Sequence, residues 1–303
     1  MKHLFIVNPV AGGKDATGTV TAKVKKAFER REDTYEIYVT KCAMDAPVKI
    51  REEAAKGEML RVYACGGDGT FNECVCGAAQ LENVAVCPFP TGTGNDFCRM
   101  FGDDAPLFRD INAVIDGDVR KIDLIDCSGR WCANICSVGI DARIGTDVHK
   151  YSALPVIGGA AAYVVSAAVN MFKEIARNMK ISCGDYHAEG QHSLVCACNG
   201  RFYGGGFNPT LSARPDDGCL DFIVVRKVNL LTFAALIGKY SKGKVREMKK
   251  YADVLTGDEI TVEFDEETVI NVDGEAVWAK SMHAEVVPGA LNLIAPKGMK
   301  FFD

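Results

Sequence analysis

The sequence predicts two architectures in one chain, an α/β plus β arrangement: an N-terminal doubly wound α/β domain, then a C-terminal antiparallel β-sandwich. Two observations carry this. Up to about residue 125, apolar strand-like runs alternate strictly with stretches of helical period, the pattern of parallel strands joined by crossover helices. Beyond it, short runs of period two follow one another with turn residues between them. The 303 residues exceed ordinary single-domain size, so each part has enough chain for its own core. Contents of 48% hydrophobic and 25% charged residues are globular proportions.

In the first part, "HLFIV" (3–7) is a short apolar strand, and 17–30 carries Val20, Val24, Ala27 and Phe28 at helical spacing. "YEIYVT" (35–40) alternates like a half-buried strand. The stretch 45–57 has the marks of a helix, with Asp45 as cap, Pro47 in the first turn and Gly57 as stop. "MLRVYA" (59–64) is a strand, 71–79 a helix and "VAVCPF" (84–89) another strand.

After "VRKIDLIDC" (119–127) the pattern changes. Helical stretches remain near 142–175 and 229–238, and the rest reads as short strands: "KISC", "SLVCAC", "LDFIVV", "EITVEF", "TVINV" and "AEVV". The expected domains are 1–125 and 126–289, with the cleft between them as the natural place for a substrate.

Several function classes are disfavoured. A formal net charge of −5 argues against nucleic acid as the main partner, which would leave a basic footprint. Thirteen cysteines, an odd number without any C-x-x-C pair, read as small apolar core residues in a reducing compartment. The start "MKHLFIVNPV" lacks the apolar region and cleavage site of a signal peptide, so a cytoplasmic location is expected. The segment "ALPVIGGAAAYVVSAAVNMF" (153–172) nearly matches a membrane span in length. Its glycines, Pro155, Ser166 and Asn170 favour a helix buried in the protein instead.

The strongest signal is "GGDGT" (66–70), at the carboxyl end of a strand with a helix just after it. Open parallel sheets bind ligands there. Glycines let the backbone come close, so that several amides converge on phosphate oxygens. Asp68 among them would repel phosphate unless a divalent cation lay between, which points to a magnesium nucleotide. Neither a G-x-x-x-x-G-K-[ST] P-loop nor a G-x-G-x-x-G fingerprint is present. Alone, "GGDGT" is equally a glycine-rich turn with a solvated aspartate. Three further loops at neighbouring strand ends tip the balance: "NPVAGGK" (8–14), Thr40 and "PTGTGNDF" (90–97).

These segments, with "KIDLI" and "NVDGE", resemble in order and spacing the diacylglycerol kinase and sphingosine kinase catalytic-domain family, especially its soluble bacterial lipid kinases. "GGDGT" alone is shared with NAD kinases and phosphofructokinases. The first loop, "GTGNDF" and the late "DGE" make the resemblance specific, and it spans nearly the whole chain.

The resemblance implies ATP-dependent, magnesium-dependent phosphorylation of a lipid hydroxyl, with diacylglycerol giving phosphatidic acid as the leading case. It implies a nucleotide site lined by Asn8, Pro9, Gly12, Thr40, Gly66, Gly67, Asp68, Gly69, Thr70, Asn72 and Thr93. It further implies an acidic network of Asp68, Asp96 and Asp123 around phosphates and metal, and Glu275 as general base beside the catalytic Asp68. A final strand, near 290–303, would return to the first domain. Bacterial relatives also hold a structural magnesium near a "DDG" turn. The matching set here is Arg214, Asp217 and Cys219, of which only Asp217 would contribute a side chain, and "PDDG" is equally a β-turn. Without the resemblance, Asp273-Gly274 reads as a tight hairpin turn and Glu275 as a solvated residue at its edge.

Two stretches bear on the lipid. The apolar helix around 153–172 is a wall for acyl chains or simply core. The cationic run "KYSKGKVREMKK", from its opening Lys239 to its closing Lys250, holds six basic residues against Glu247, and is a peripheral membrane contact or a solvated charged face. The competing functions are a kinase of a soluble metabolite, such as NAD or a sugar phosphate, and a nucleotide-binding regulator without catalysis. The oligomeric state, a homodimer included, stays open.

Overall fold

A computed structural model describes residues 1–13, 15–92, 94–140 and 176–303. The helical stretch expected near 142–175, including the apolar segment 153–172, lies outside the described residues. The chain divides into two compact units, Met1–Leu124 with Pro288–Asp303, and Ile125–Val287.

The first unit is built on a parallel sheet. Strands β1 (Lys2–Val7), β2 (Thr34–Val39), β3 (Leu60–Gly66) and β4 (Val84–Pro90) lie in the order β4-β3-β1-β2. The end of β13 (Glu275–Ala295) adds a parallel neighbour to β4 through Asn292↔Ala85 and Leu293↔Val86. Leu4, Phe5, Ile6 and Val7 are fully buried, as a central parallel strand covered on both faces requires. β2 is the edge strand; Glu36, Ile37 and Tyr38 are half-buried in a row and the rest exposed, so the alternation read from the sequence does not appear in its burial, as an edge with little covering it allows.

Helix α1 (Thr17–Phe28) buries Val20, Val24 and Phe28 at the expected spacing. Helix α2 (Asp45–Ala54) is capped by Met44, in the left-handed region at φ 62°, and not by Asp45. The Asp45 carboxylate instead accepts hydrogen bonds from Lys41 N (2.8 Å) and Tyr38 Oη (3.0 Å). Helix α3 (Asp68–Ala78) starts three residues earlier than its apolar pattern suggests. Gly67, extended, serves as its N-cap and accepts from Phe71 N at 3.1 Å. Two short helices that the apolar pattern did not reveal, α4 (Asp96–Arg99) and α5 (Ile111–Ile115), follow β4.

The second unit is antiparallel. β5 (Asp118–Cys127) leads into β6 (Arg130–Cys132), β7 (Ile135–Gly139), β8 (Arg177–Cys183), β9 (Tyr186–Cys198), β10 (Leu220–Arg226), β11 (Ala252–Gly257) and β12 (Glu259–Val272). "EITVEF" and "TVINV" prove to be one strand, β12, with a register shift between Glu263 and Thr268. Its partner β13 runs 21 residues, of which "AEVV" is only a part.

Alternation decides which core each side chain joins. Val195 and Ala197 of β9, with Phe222 and Val224 of β10, point into one cluster with Val138, Ile270 and Met282. Leu194, Cys196, Ile223 and Val225 point into another on the opposite face. Helix α6 (Leu230–Tyr240), capped by Asn229 through Thr232 N at 2.9 Å, covers that second face. All thirteen cysteines are free thiols, and those of the "CAC" run are buried. Among the described residues, no helix is long and apolar enough to cross a membrane.

Candidate active site

In the first unit, β2 leaves β1 on one side and β3 lies on the other, so the chain changes direction between β1 and β3. The loops after these two strands diverge to opposite faces and leave a crevice at their carboxyl ends. Hydrogen bonds tie the loop ends together in sheet order. Thr40 N donates to Val7 O (2.9 Å), Asn8 N to Cys65 O (3.1 Å), and Thr91 N and Gly92 N to Gly66 O (2.9 and 3.1 Å). Asn8 Nδ2 also donates to Thr70 Oγ1 at 3.0 Å, joining the first loop to the opening turn of α3.

The glycines answer to close approach more than to turning. A Cβ on Gly66 would stand 2.2 Å from Thr70 Oγ1, and one on Gly92 would stand 2.9 Å from Gly67 Cα. Two loop backbones are thus in direct contact. Gly12 adds a left-handed conformation, φ 70°, and a Cβ there would meet Thr91 O at 2.9 Å. A side chain at Gly12 or Gly92 would push the loops apart, and one at Gly66 would collide with Thr70 of the helix that follows it. The first turn of α3 leaves amides without intrahelical partners, at the positive end of its dipole, while Gly69 is exposed with open space where a Cβ would stand.

Asp68 sits at the first position of α3, half-buried. Its Oδ1 accepts from Phe97 N (3.3 Å) at the start of α4, and a Cβ on Gly94 would come 2.7 Å from Oδ2. Burial, and after it the charge of Asp68, push the neighbouring Cys98 thiol up; burial also pushes Cys65 up, so neither is a reactive thiolate. Asp96 is buried and pairs with Arg99 Nε at 3.4 Å.

Asn8, Pro9, Gly12, Thr40, Gly66, Gly67, Asp68, Gly69, Thr70 and Asn72 all belong to these strand-end loops and the start of α3, and Thr93 lies outside the described residues. Asp123 is placed differently from the loops. It is buried in β5, where its carboxylate accepts from Gly289 N of β13 at 2.8 Å. Among the described residues, no group of three or more His, Cys, Asp or Glu side chains is arranged to hold a metal. A nucleotide-borne magnesium fits that, since it needs only one or two protein carboxylates and takes its other ligands from phosphate and water.

The second unit holds Glu275, exposed at the first position of β13. The turn before it has positive φ at both central residues, Asp273 (49°) and Gly274 (98°), with Val272 paired to Glu275, as a two-residue hairpin requires. Sequence reasoning missed what the Asp273 side chain does. Its carboxylate accepts from three consecutive amides, Ala133 N (2.7 Å), Asn134 N (3.0 Å) and Ile135 N (3.0 Å), and from Cys132 Sγ at 3.1 Å. An Asp in a β-turn signals the turn, not a partner about 140 residues away.

The "DDG" turn closes on itself. Asp217 Oδ1 accepts from Cys219 N (3.1 Å), Gly218 has φ 70°, and Arg214 pairs with Asp216 at 2.9 and 3.0 Å. Behind it, the buried Asp221 carboxylate accepts from Thr210, Ser212 and Thr256 hydroxyls at 2.5, 2.5 and 3.1 Å.

Comparison with known proteins agrees with this arrangement. Residues 2–127 match the model of the diacylglycerol kinase catalytic domain, and 134–295 that of the YegS C-terminal NAD kinase beta sandwich-like domain. A Pectobacterium atrosepticum protein named "Probable lipid kinase YegS-like" is 28% identical, covering 97% of this chain and 95% of its own. The diacylglycerol kinase of Bacillus subtilis is 27% identical over 91% of this chain and 90% of its own. The crystal structure of a diacylglycerol kinase from Bacillus anthracis superposes with a TM-score of 0.71, covering 99% of this chain and 98% of that one at 24% identity. Loops, strand order and sandwich together lead to one statement: the chain belongs to the diacylglycerol kinase catalytic-domain family of the YegS kind, lipid kinases that transfer phosphoryl groups to alcohols.

Proposed function

We propose that this protein transfers the γ-phosphoryl group of ATP to the free hydroxyl of diacylglycerol, giving phosphatidic acid. The observation that carries the reading is the backbone contact between the loops after β3 and β4, with Asp68 at the start of α3. It supplies amide donors and a single carboxylate, the two things a magnesium-bound polyphosphate needs. Asn8, Gly12, Thr40, Thr70 and Asn72 line the nucleotide, and Thr93, Asp96 and Asp123 complete the family's set. Asp68, with the nucleotide's phosphates, would hold magnesium, which when bound would supply charge neutralisation at the transferring group.

An aliphatic hydroxyl is almost never ionised near neutrality, so a carboxylate must accept its proton as the new bond to phosphorus develops. Glu275 takes that role. The anchored Asp273 turn holds its backbone in place. A second magnesium of structural kind would be held by Asp217 with the carbonyl oxygens of Arg214 and Cys219, an all-oxygen set suited to a hard cation.

The deciding experiment incubates the protein with labelled ATP, magnesium and a mixed lipid extract, then identifies the labelled product. Label in phosphatidic acid is expected; label in another lipid would reassign the acceptor. A second reading, a kinase of a soluble metabolite, draws on the NAD kinase-like description of the sandwich. It requires full turnover with a soluble acceptor and neither vesicles nor detergent.

A further inference from the structure

Helix α6 is uncharged up to Gly238 ("LLTFAALIG") and barely buried. Its inward side, Phe233, Leu236, Ile237 and Tyr240, spaced i, i+3, i+4 and i+7, packs on the second core. Up to Gly238 its other side faces solvent without a charge, and Leu231 there is 82% exposed. A helix of this kind ordinarily carries Lys and Glu on its wet side.

The cations arrive directly afterwards. Lys239, Lys242, Lys244, Arg246, Lys249 and Lys250 are all exposed, and the one acid among them, Glu247, lies 3.3 Å from Lys239 and 3.8 Å from Lys244. A second bare leucine, Leu211, 60% exposed, leans on this run: a Cβ on Gly243 would come 2.5 Å from its side chain. Exposed apolar surface and a local net of +5 therefore adjoin, in a molecule whose net charge is −5.

We propose that the solvent side of α6 and the cations of 239–250 dock the protein onto an anionic lipid bilayer. Charge complementarity selects the occupant. A nucleic acid would reward the cations but gain nothing from Leu231 and Leu211, whereas a bilayer meets lysines with headgroup phosphates and leucines with the acyl boundary. Each cation near such a surface contributes roughly a fivefold gain in partition, so the contact is reversible. The inference does not depend on which hydroxyl is phosphorylated, because its test reads binding.

Full-length protein is sedimented with vesicles of phosphatidylcholine alone, and of phosphatidylcholine mixed with phosphatidylglycerol, at low and high salt. Pelleting should require the anionic lipid and weaken with salt. The triple variant Lys242→Gln, Lys244→Gln, Lys249→Gln should lower the partition by more than about tenfold. Leu231→Ser should lower it about tenfold. Glu247→Gln, which frees two lysines, should raise it about fivefold, a gain that a purely structural role would not give. All these side chains are exposed, so melting temperature and turnover on detergent-dispersed substrate should stay as in the parent. Equal pelleting with neutral vesicles, no pelleting, or pelleting indifferent to these substitutions overturns the proposal. Binding to an RNA homopolymer that survives Leu231→Ser, without vesicle binding, overturns it too.

Discussion

Glu275 and Asp273 sit two residues apart and should fail in different ways. Glu275 is exposed, so Glu275→Gln should leave the melting temperature unchanged while lowering kcat by about 10²–10⁴ with ATP affinity intact. Normal kcat in that variant would remove Glu275 from the reaction. Asp273→Ala should instead cost roughly 2–4 kcal/mol of stability in urea unfolding, since three amides around residue 134 lose a charged acceptor. If its unfolding midpoint stays put, the carboxylate is not what anchors the turn. The hairpin was legible in the sequence because Asp-Gly suits a turn with two positive φ angles. The anchoring was not, because its donors are main-chain groups that any residue carries.

Among the elements, α2 is held by charges as much as by its apolar face. Glu53 is buried and receives Lys2, Lys49 and Lys56 ammonium groups at 2.7, 2.8 and 2.7 Å, while Glu36 of β2 takes Lys2 and Lys49 at 2.6 Å each. Burial pushes the Glu53 carboxyl up, but the three lysines outweigh it and hold it at about 2. A depressed carboxylate stabilises the fold fully above its ordinary value of 4.5 and loses that contribution as pH falls towards 2. Urea midpoints should therefore drop between about pH 5 and pH 2, and Glu53→Gln should flatten that drop while lowering stability at neutral pH. An unchanged pH profile would rule the network out. Element types in the first unit were readable from period and turn residues. Helix starts were less so: α3 begins at Asp68 because Gly67 is extended beside Gly92, and no hydrophobic period records a loop contact.

For the whole molecule, the boundary between the units falls inside two strands, between Leu124 and Ile125 of β5 and between Val287 and Pro288 of β13. The last sixteen residues complete the first unit: Leu293 pairs with Val86, Lys297 N donates to Ala113 O (2.8 Å), and Phe301 packs edge-on against Phe101 at 4.9 Å. A chain ending at Val287 should therefore lose nucleotide binding, and calorimetry with ATP should show no heat of association. Undiminished binding would mean the tail is dispensable. The change of architecture near residue 125 shows in hydrophobic period, but pairing between distant segments has no local signature. For that reason "EITVEF" and "TVINV" look like two strands and form one.

Asp123 and Gly289, joined by a hydrogen bond, stand next to these two crossings, and the chain leaves and re-enters the first unit there. Both termini belong to the host, and the sandwich is its guest, spliced in at a single place. Fluorophores on the two ends would report host unfolding, and 124 and 288 are the points at which another guest would be grafted with the host's strand-end loops left in place.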